Sequence, residues 1–72
     1  MVRSMVDSLA NRLRQNPRDA DGWIRLMRSR MVLGDSDAAR EALRSGLAAF
    51  PDDRATQQRL RTAANELGVP AA

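Results

Sequence analysis

The sequence repeats itself with a period of 34 residues. Matching residues recur at that spacing along most of the chain: Pro17 and Pro51, Leu9 and Leu43, Leu13 and Leu47, Asp19 and Asp53, Leu26 and Leu60, and Leu33-Gly34 and Leu67-Gly68. Periods of roughly 20–50 residues are typical of arrays whose units cannot bury their apolar faces alone and therefore stack on their neighbours. The stretch 20–53 is the one complete unit, and both flanks read as partial copies of it.

Apolar residues recur at helical spacing in four segments, each with its own start and stop signals. The predicted helices cover about 3–15, 20–33, 37–50 and a last stretch that starts at Asp52 or Asp53 and ends before Gly68. Proline cannot continue a helix, so Pro17 and Pro51 end two of them. Gly34 ends another with a left-handed cap. The sequence therefore predicts an all-α antiparallel array of four helices, one full repeat flanked by two half repeats.

The second predicted helix carries apolar residues on two neighbouring stripes. One stripe includes Trp23, Leu26 and Met27, and the other includes Ile24 and Met31. A helix that is apolar on more than one side is buried on more than one side, which predicts a central position. We expect the most buried side chains to include four residues on inward stripes: Trp23, Leu26, Leu43 and Leu47.

Basic residues outnumber acids, twelve to nine, and all twelve are arginine, which gives a net charge of +3. Six acids fall at predicted helix starts, where a carboxylate can cap free backbone N–H groups: Asp19, Asp21, Asp35, Asp37, Asp52 and Asp53. Asp35, Ser36 or Asp37 caps the third helix. Six of the nine acids are thus explained locally, and we prefer a protein partner to nucleic acid. An arginine-driven nucleic-acid binder remains the alternative, with a steep dependence of affinity on salt.

The residue inventory excludes several function classes. The chain has no cysteine and no histidine, so thiolate and imidazole chemistry are missing, and we predict no enzyme activity, no cofactor and no metal site. No apolar run has the length of a membrane span, and the first segment is amphipathic, unlike a signal peptide. We expect residues 1–72 to form one small domain of a longer protein. Its marginal core predicts low stability or self-association.

Six positions of the stretch 20–53 match the tetratricopeptide repeat pattern: Trp23, Leu26, Gly34, Ala39, Leu43 and Pro51. The chain therefore resembles that family, whose unit is a helix-turn-helix of about 34 residues. Three positions depart from the pattern: Met27, Arg30 and Gly46. Gly46 suits a close helix crossing, and we expect the stem of Arg30 to lie in the helix seam with its guanidinium directed outward.

The resemblance also implies a binding surface, because the first helix of each tetratricopeptide unit lines a concave groove. The matching positions are Asp21, Ile24, Arg28, Met31, Gln58, Thr62 and Asn65. Ile24 and Met31 beside Arg28 would accept a partner helix with a mixed apolar and acidic face. A carboxylate clamp is disfavoured, since Ile24 stands where such clamps place a lysine.

Three longer segments carry a more specific resemblance: MVRSMVDSLANRL, DADGWIRLMRSRMVLGDSDAAREAL, and PDD followed by an arginine-rich helix ending in LGVP. They are similar to the periplasmic repeat region of the CcmI (CycH) family of bacterial c-type cytochrome maturation. That resemblance implies a periplasmic domain of a protein anchored in the inner membrane, with no membrane contact from this segment. It further implies that the domain holds a helical segment of apocytochrome c for the haem-ligation machinery. A generic tetratricopeptide adaptor in another complex is the alternative.

Overall fold

Four α-helices joined by short turns make up residues 2–71, the part of the chain that the computed structural model describes. They are α1 (Val2–Gln15), α2 (Ala20–Val32), α3 (Ser36–Ala49) and α4 (Arg54–Leu67). No strand occurs among these residues. The all-α prediction is confirmed, and each predicted helix boundary lies within one or two residues of the observed one.

Aspartate caps the N-terminus of three helices. Asp19, Asp35 and Asp53 each accept a hydrogen bond from the backbone N–H three residues later, at N···O distances of 3.0, 3.2 and 3.0 Å. These bonds satisfy N–H groups that have no partner within the helix. Of the alternatives that the sequence left open, Asp35 caps α3 and Asp53 caps α4. Asp52, the other alternative for α4, lies exposed in the turn directly before the capping residue.

Glycine and proline end the helices in alternation. After α2 and α4 the chain turns at Gly34 and Gly68, whose φ angles of 78° and 79° lie in the left-handed region. The residue after each glycine donates its backbone N–H back to the last turn of the helix, over 2.9 Å in both cases. This closure satisfies carbonyls left free at a helix end. The other two helices, α1 and α3, end just before Pro17 and Pro51.

Helix α2 lies at the centre and packs against α1, α3 and α4, while α3 also packs against α4. The buried apolar side chains form one cluster: Val6, Leu13, Trp23, Leu26, Met27, Ala39, Ala42, Leu43, Phe50, Leu60, Ala64 and Val69. Every helix contributes to it. The prediction that α2 is buried on more than one side is confirmed.

Three of the four residues expected to be most buried are so, namely Trp23, Leu26 and Leu43. Leu47 is only half-buried, so that prediction was wrong. Leu47 sits one turn after Leu43 and lines an open cavity of about 400 Å³ between α3 and α4. The prediction that Leu47 lies on the inward stripe of α3 is correct, but α4 covers only part of that stripe.

The close crossing expected at Gly46 is present. A Cβ on this buried glycine would lie 3.1 Å from Trp23 Cγ and 3.3 Å from Leu60 Cδ1. Arg30 also behaves as expected, because its side chain is largely buried while its Nη1 reaches Asp7 Oδ1 at 3.6 Å. The departures from the repeat pattern at these positions are therefore accommodated by local packing.

Replacing Leu43 by alanine should destabilise the domain by about 2–5 kcal/mol, since it removes a buried side chain and leaves a cavity. The matched control is Leu47→Ala on the same helix, which should cost less because Leu47 is already half-exposed. Chemical denaturation followed by circular dichroism measures both changes. Equal losses for the two variants would show that burial on α3 is misassigned.

The Thr56 hydroxyl donates to Asp53 Oδ2 at 2.6 Å, and this bond, together with the Thr56 backbone N–H and the nearby Arg18 charge, lowers the pKa of Asp53 below its ordinary value of 3.8. A carboxyl group whose pKa is lower in the folded state than in the unfolded state stabilises the fold. This stabilisation is complete above the unfolded-state pKa, and it is lost as the pH falls through the folded-state pKa. Stability from Asp53 should therefore fade only below about pH 4.

A carboxyl-detected NMR titration checks this. Thr56→Val should raise the pKa of Asp53 toward its ordinary value, while the same exchange at Thr62, an exposed threonine of α4, should leave it unchanged. If the pKa of Asp53 is the same in the unchanged protein and in both variants, the role given to the Thr56 hydroxyl is wrong.

Candidate functional site: the groove of α2 and α4

Helices α2 and α4 lie side by side and run in the same direction. Near their starts the Asp21 carboxylate accepts a hydrogen bond from the Arg59 guanidinium. Near their ends Met31 Cε lies 3.9 Å from the position of a Cβ built on Gly68. Because contacts at both ends join matching parts of the two helices, their outward stripes lie next to each other. We call this surface the α2–α4 groove, after the groove that the family resemblance implies; its residues are Asp21, Ile24, Arg28, Met31, Gln58, Thr62 and Asn65.

On the α2 side, Asp21, Ile24, Arg28 and Met31 follow one helical stripe. Ile24 and Met31 are half-buried and pack against the core, and Arg28 between them is exposed. The two apolar side chains are two turns apart, about 10 Å along the helix axis. This stripe therefore offers two apolar contact points with a cation between them.

On the α4 side, the exposed residues are polar. Gln58 Nε2 donates to Thr62 Oγ1 at 3.4 Å, so these two side chains orient each other. Asn65 is also exposed, and it lines the cavity between α3 and α4 together with Leu47. The structure thus places Gln58 and Thr62 as neighbours on one face of α4, and Asn65 at the boundary with the α3 side.

Sequence reasoning missed Arg59, which forms the ion pair with Asp21. The two residues are 38 positions apart, and neither propensity nor spacing indicates that they meet. The pair has two consequences. It ties α2 to α4, and it compensates the Asp21 charge, so that the surface presents Arg28 as an uncompensated cation. Among residues 2–71, Arg28 makes no ion pair and no side-chain hydrogen bond.

The chemistry of the groove suits binding. It has two apolar side chains, a free guanidinium, two amides and a hydroxyl, and the sequence has no cysteine or histidine to supply a nucleophile or proton shuttle. Within residues 2–71 no group of three or more acidic side chains could hold a metal ion. Such a surface can receive an amphipathic helix.

Comparison with known families agrees with this architecture. The sequence model of the tetratricopeptide repeat family matches residues 20–60. The chain belongs to the tetratricopeptide repeat family. The α2–α3 hairpin is its complete unit, and α4 begins the next one.

Two relatives are similar in sequence to nearly the whole of this chain. The cytochrome c-type biogenesis protein CycH of Rhizobium meliloti (strain 1021) is 48% identical over 71 residues, which are 99% of this chain and 19% of that protein. The protein of the same name from Bradyrhizobium diazoefficiens is 41% identical over 69 residues, 96% of this chain and 19% of that protein. The chain therefore spans about a fifth of the length of these relatives.

No solved structure matches the chain. None of the helices within residues 2–71 is long and apolar enough to cross a membrane.

Proposed function

We propose that this tetratricopeptide domain is a non-enzymatic protein-binding module of cytochrome c maturation, which holds apocytochrome c through a helical segment before haem ligation. Two findings support the proposal. The relatives are named cytochrome c-type biogenesis proteins and match almost every residue of the chain. The observation that carries it is the α2–α4 groove, where half-buried Ile24 and Met31 flank the free guanidinium of Arg28.

The proposed contact follows from the spacing of the α2 stripe. An incoming helix with apolar residues at i, i+3 or i+4, and i+7 can set one anchor against Ile24 and another against Met31. Arg28 then meets a carboxylate, or the carbonyl groups at the C-terminus of the incoming helix, where the helix dipole is negative. Gln58 and Thr62 on α4 supply hydrogen bonds at the polar edge of that helix.

Met31 adds tolerance to the shape of the partner. Its unbranched thioether side chain adapts to different surfaces. A module that handles related apocytochromes needs such tolerance more than it needs one exact fit. Asn65, at the boundary with α3, extends the same polar edge.

The setting of the domain is part of the proposal. We place it in the periplasm, as one portion of a protein anchored in the inner membrane and working with the haem-ligation machinery. One complete repeat and its flanking helices make a short groove, so we expect weak binding from this segment alone, with higher affinity from longer arrays.

The first test is a titration of the isotope-labelled chain with a peptide from the C-terminal helix of an apocytochrome c, followed by amide chemical shifts. The shifts should concentrate at Ile24, Arg28 and Met31. Replacing Arg28 and Met31 together by alanine should weaken binding roughly tenfold, the size of effect expected at central interface contacts.

The matched control is Arg44→Ala, which removes an exposed arginine from α3, away from the groove. Its affinity should equal that of the unchanged protein. The proposal fails if the shifts concentrate on the outer face of α3, or if the double variant binds as tightly as the control.

A titration with duplex DNA over a range of salt concentrations addresses the arginine-driven alternative. Neutralising several phosphates makes affinity fall steeply as salt rises. We expect no such binding at physiological salt, and the affinity for the apocytochrome peptide should change little, because its anchors are apolar. Steep salt dependence together with micromolar affinity for DNA would favour nucleic acid as the partner.

A further inference from the structure

One stripe of α4 faces α2, and it is formed by Arg59, Ala63 and Glu66. The three residues follow i, i+4, i+7 spacing, so their side chains leave α4 on the same side. Arg59 at the start of the stripe binds Asp21 of α2, and Ala63 in the middle is half-buried and packs against the core. Glu66 at the end of the stripe therefore also lies on the side of α4 that faces α2.

The residue of α2 that stands opposite Glu66 follows from the ion pair at the start of the stripe. A step of seven residues leads from Asp21 to Arg28 on α2, and the same step leads from Arg59 to Glu66 on α4. Seven residues make almost two full turns, so each step ends on the helix face where it began. The contact between the ends of the two parallel helices lies beyond this point. Arg28 and Glu66 therefore stand on opposite sides of the line where α2 and α4 meet.

Both of these charged side chains are available to a partner. Arg28 and Glu66 are exposed, and among residues 2–71 neither makes an ion pair or a side-chain hydrogen bond. An exposed ion pair between them would contribute little in water, so each can turn to another charge at little cost. The far end of the α2–α4 groove thus presents a cation along α2 and an anion along α4.

A helix that docks over this part of the groove removes water from both charges. A covered charge without a partner is unfavourable, because it loses its hydration and gains no compensating contact. A helix that offers only carboxylates would pair with Arg28 but would be repelled by Glu66. A helix with a carboxylate on one flank of its apolar stripe and a basic side chain on the other flank pairs with both.

We propose that Glu66 is a specificity-determining residue of the α2–α4 groove, selecting a partner helix with a basic side chain toward α4 as well as a carboxylate toward α2. This inference rests on the proposed function. The two charges together also set the direction of the partner helix. Turning that helix end for end exchanges its flanks, which brings its carboxylate against Glu66 and its basic side chain against Arg28.

The probes are two designed helical peptides with leucine at i, i+4 and i+7. The first carries glutamate on one flank of the leucine stripe and lysine on the other, and the second has glutamine in place of lysine. Circular dichroism establishes that the two are equally helical. Amide shifts at Ile24 and Met31 of the isotope-labelled chain report occupation of the groove. The peptide with lysine should bind the unchanged chain roughly fivefold to tenfold more tightly than the peptide with glutamine.

Charge reversal at Glu66 should affect the two peptides in opposite directions. Glu66→Lys should weaken binding of the peptide with lysine roughly tenfold, because an attractive contact becomes repulsive. It should strengthen binding of the peptide with glutamine, because the carboxylate of that peptide is no longer repelled. Opposite effects of one variant cannot arise from a loss of folding. The matched control is Glu41→Lys, at an exposed glutamate of α3 away from the groove, and it should leave both affinities unchanged.

Two results would overturn the role of Glu66 alone. In the first, both peptides shift Ile24 and Met31, but Glu66→Lys changes neither affinity. In the second, Glu41→Lys changes the affinities as much as Glu66→Lys does. Either result leaves the groove of the proposed function in place. If neither peptide shifts Ile24 or Met31, the groove assignment itself is wrong, and the inference fails with it.

Discussion

The approach of the Trp23 indole to the backbone of Gly46 sets the position of the central helix, and the rest of the array is built around it. The indole is buried, and its Nε1 donates to the Pro17 carbonyl oxygen at 2.6 Å. One side chain therefore fixes α2 against α3 and also against the connector that precedes it. Because α2 packs on every other helix, a shift of Trp23 would move the α2–α4 groove with it.

Contacts between connectors hold neighbouring repeats in register. The Arg18 guanidinium carbon lies 5.1 Å from the centre of the Phe50 ring, and Arg18 Nη1 donates to the Ala49 carbonyl oxygen at 3.3 Å. Gln57 Nε2 donates to the Phe50 carbonyl oxygen at 2.8 Å, so the α3–α4 connector is held by the helix that follows it, as Trp23 holds the α1–α2 connector. Cation–π and hydrogen-bond contacts of this kind are individually modest, but together they restrict how one unit rotates on the next.

The two exposed faces of α2 differ in whether their charged side chains have ion-pair partners. In the α2–α4 groove, Arg59 already compensates Asp21, and the free cation is Arg28 between two apolar side chains. On the face between α1 and α2, one repeat earlier, Arg25 has no such carboxylate among residues 2–71. The same repeat position is therefore paired once and open once. The paired copy ties α2 to α4, and the open copy leaves a cation on the face that α1 and α2 share.

The sequence by itself determined the all-α class, the helix boundaries to within two residues and the central place of α2, and it narrowed the helix caps to a few candidates. These features depend on residues close together in the chain, such as a glycine after a helix or an aspartate three residues before a free N–H. Helical spacing also placed Ile24, Arg28 and Met31 on one stripe, and the resemblance to tetratricopeptide repeats implied that this stripe lines a groove. Only the tertiary structure decided that Asp21 pairs with Arg59 and that Leu47 stays half-buried. Only the tertiary structure likewise shows that Arg25 makes no ion pair among residues 2–71. Each of those facts depends on which helix covers a given stripe, and local periodicity fixes the direction of a side chain without fixing what lies opposite it.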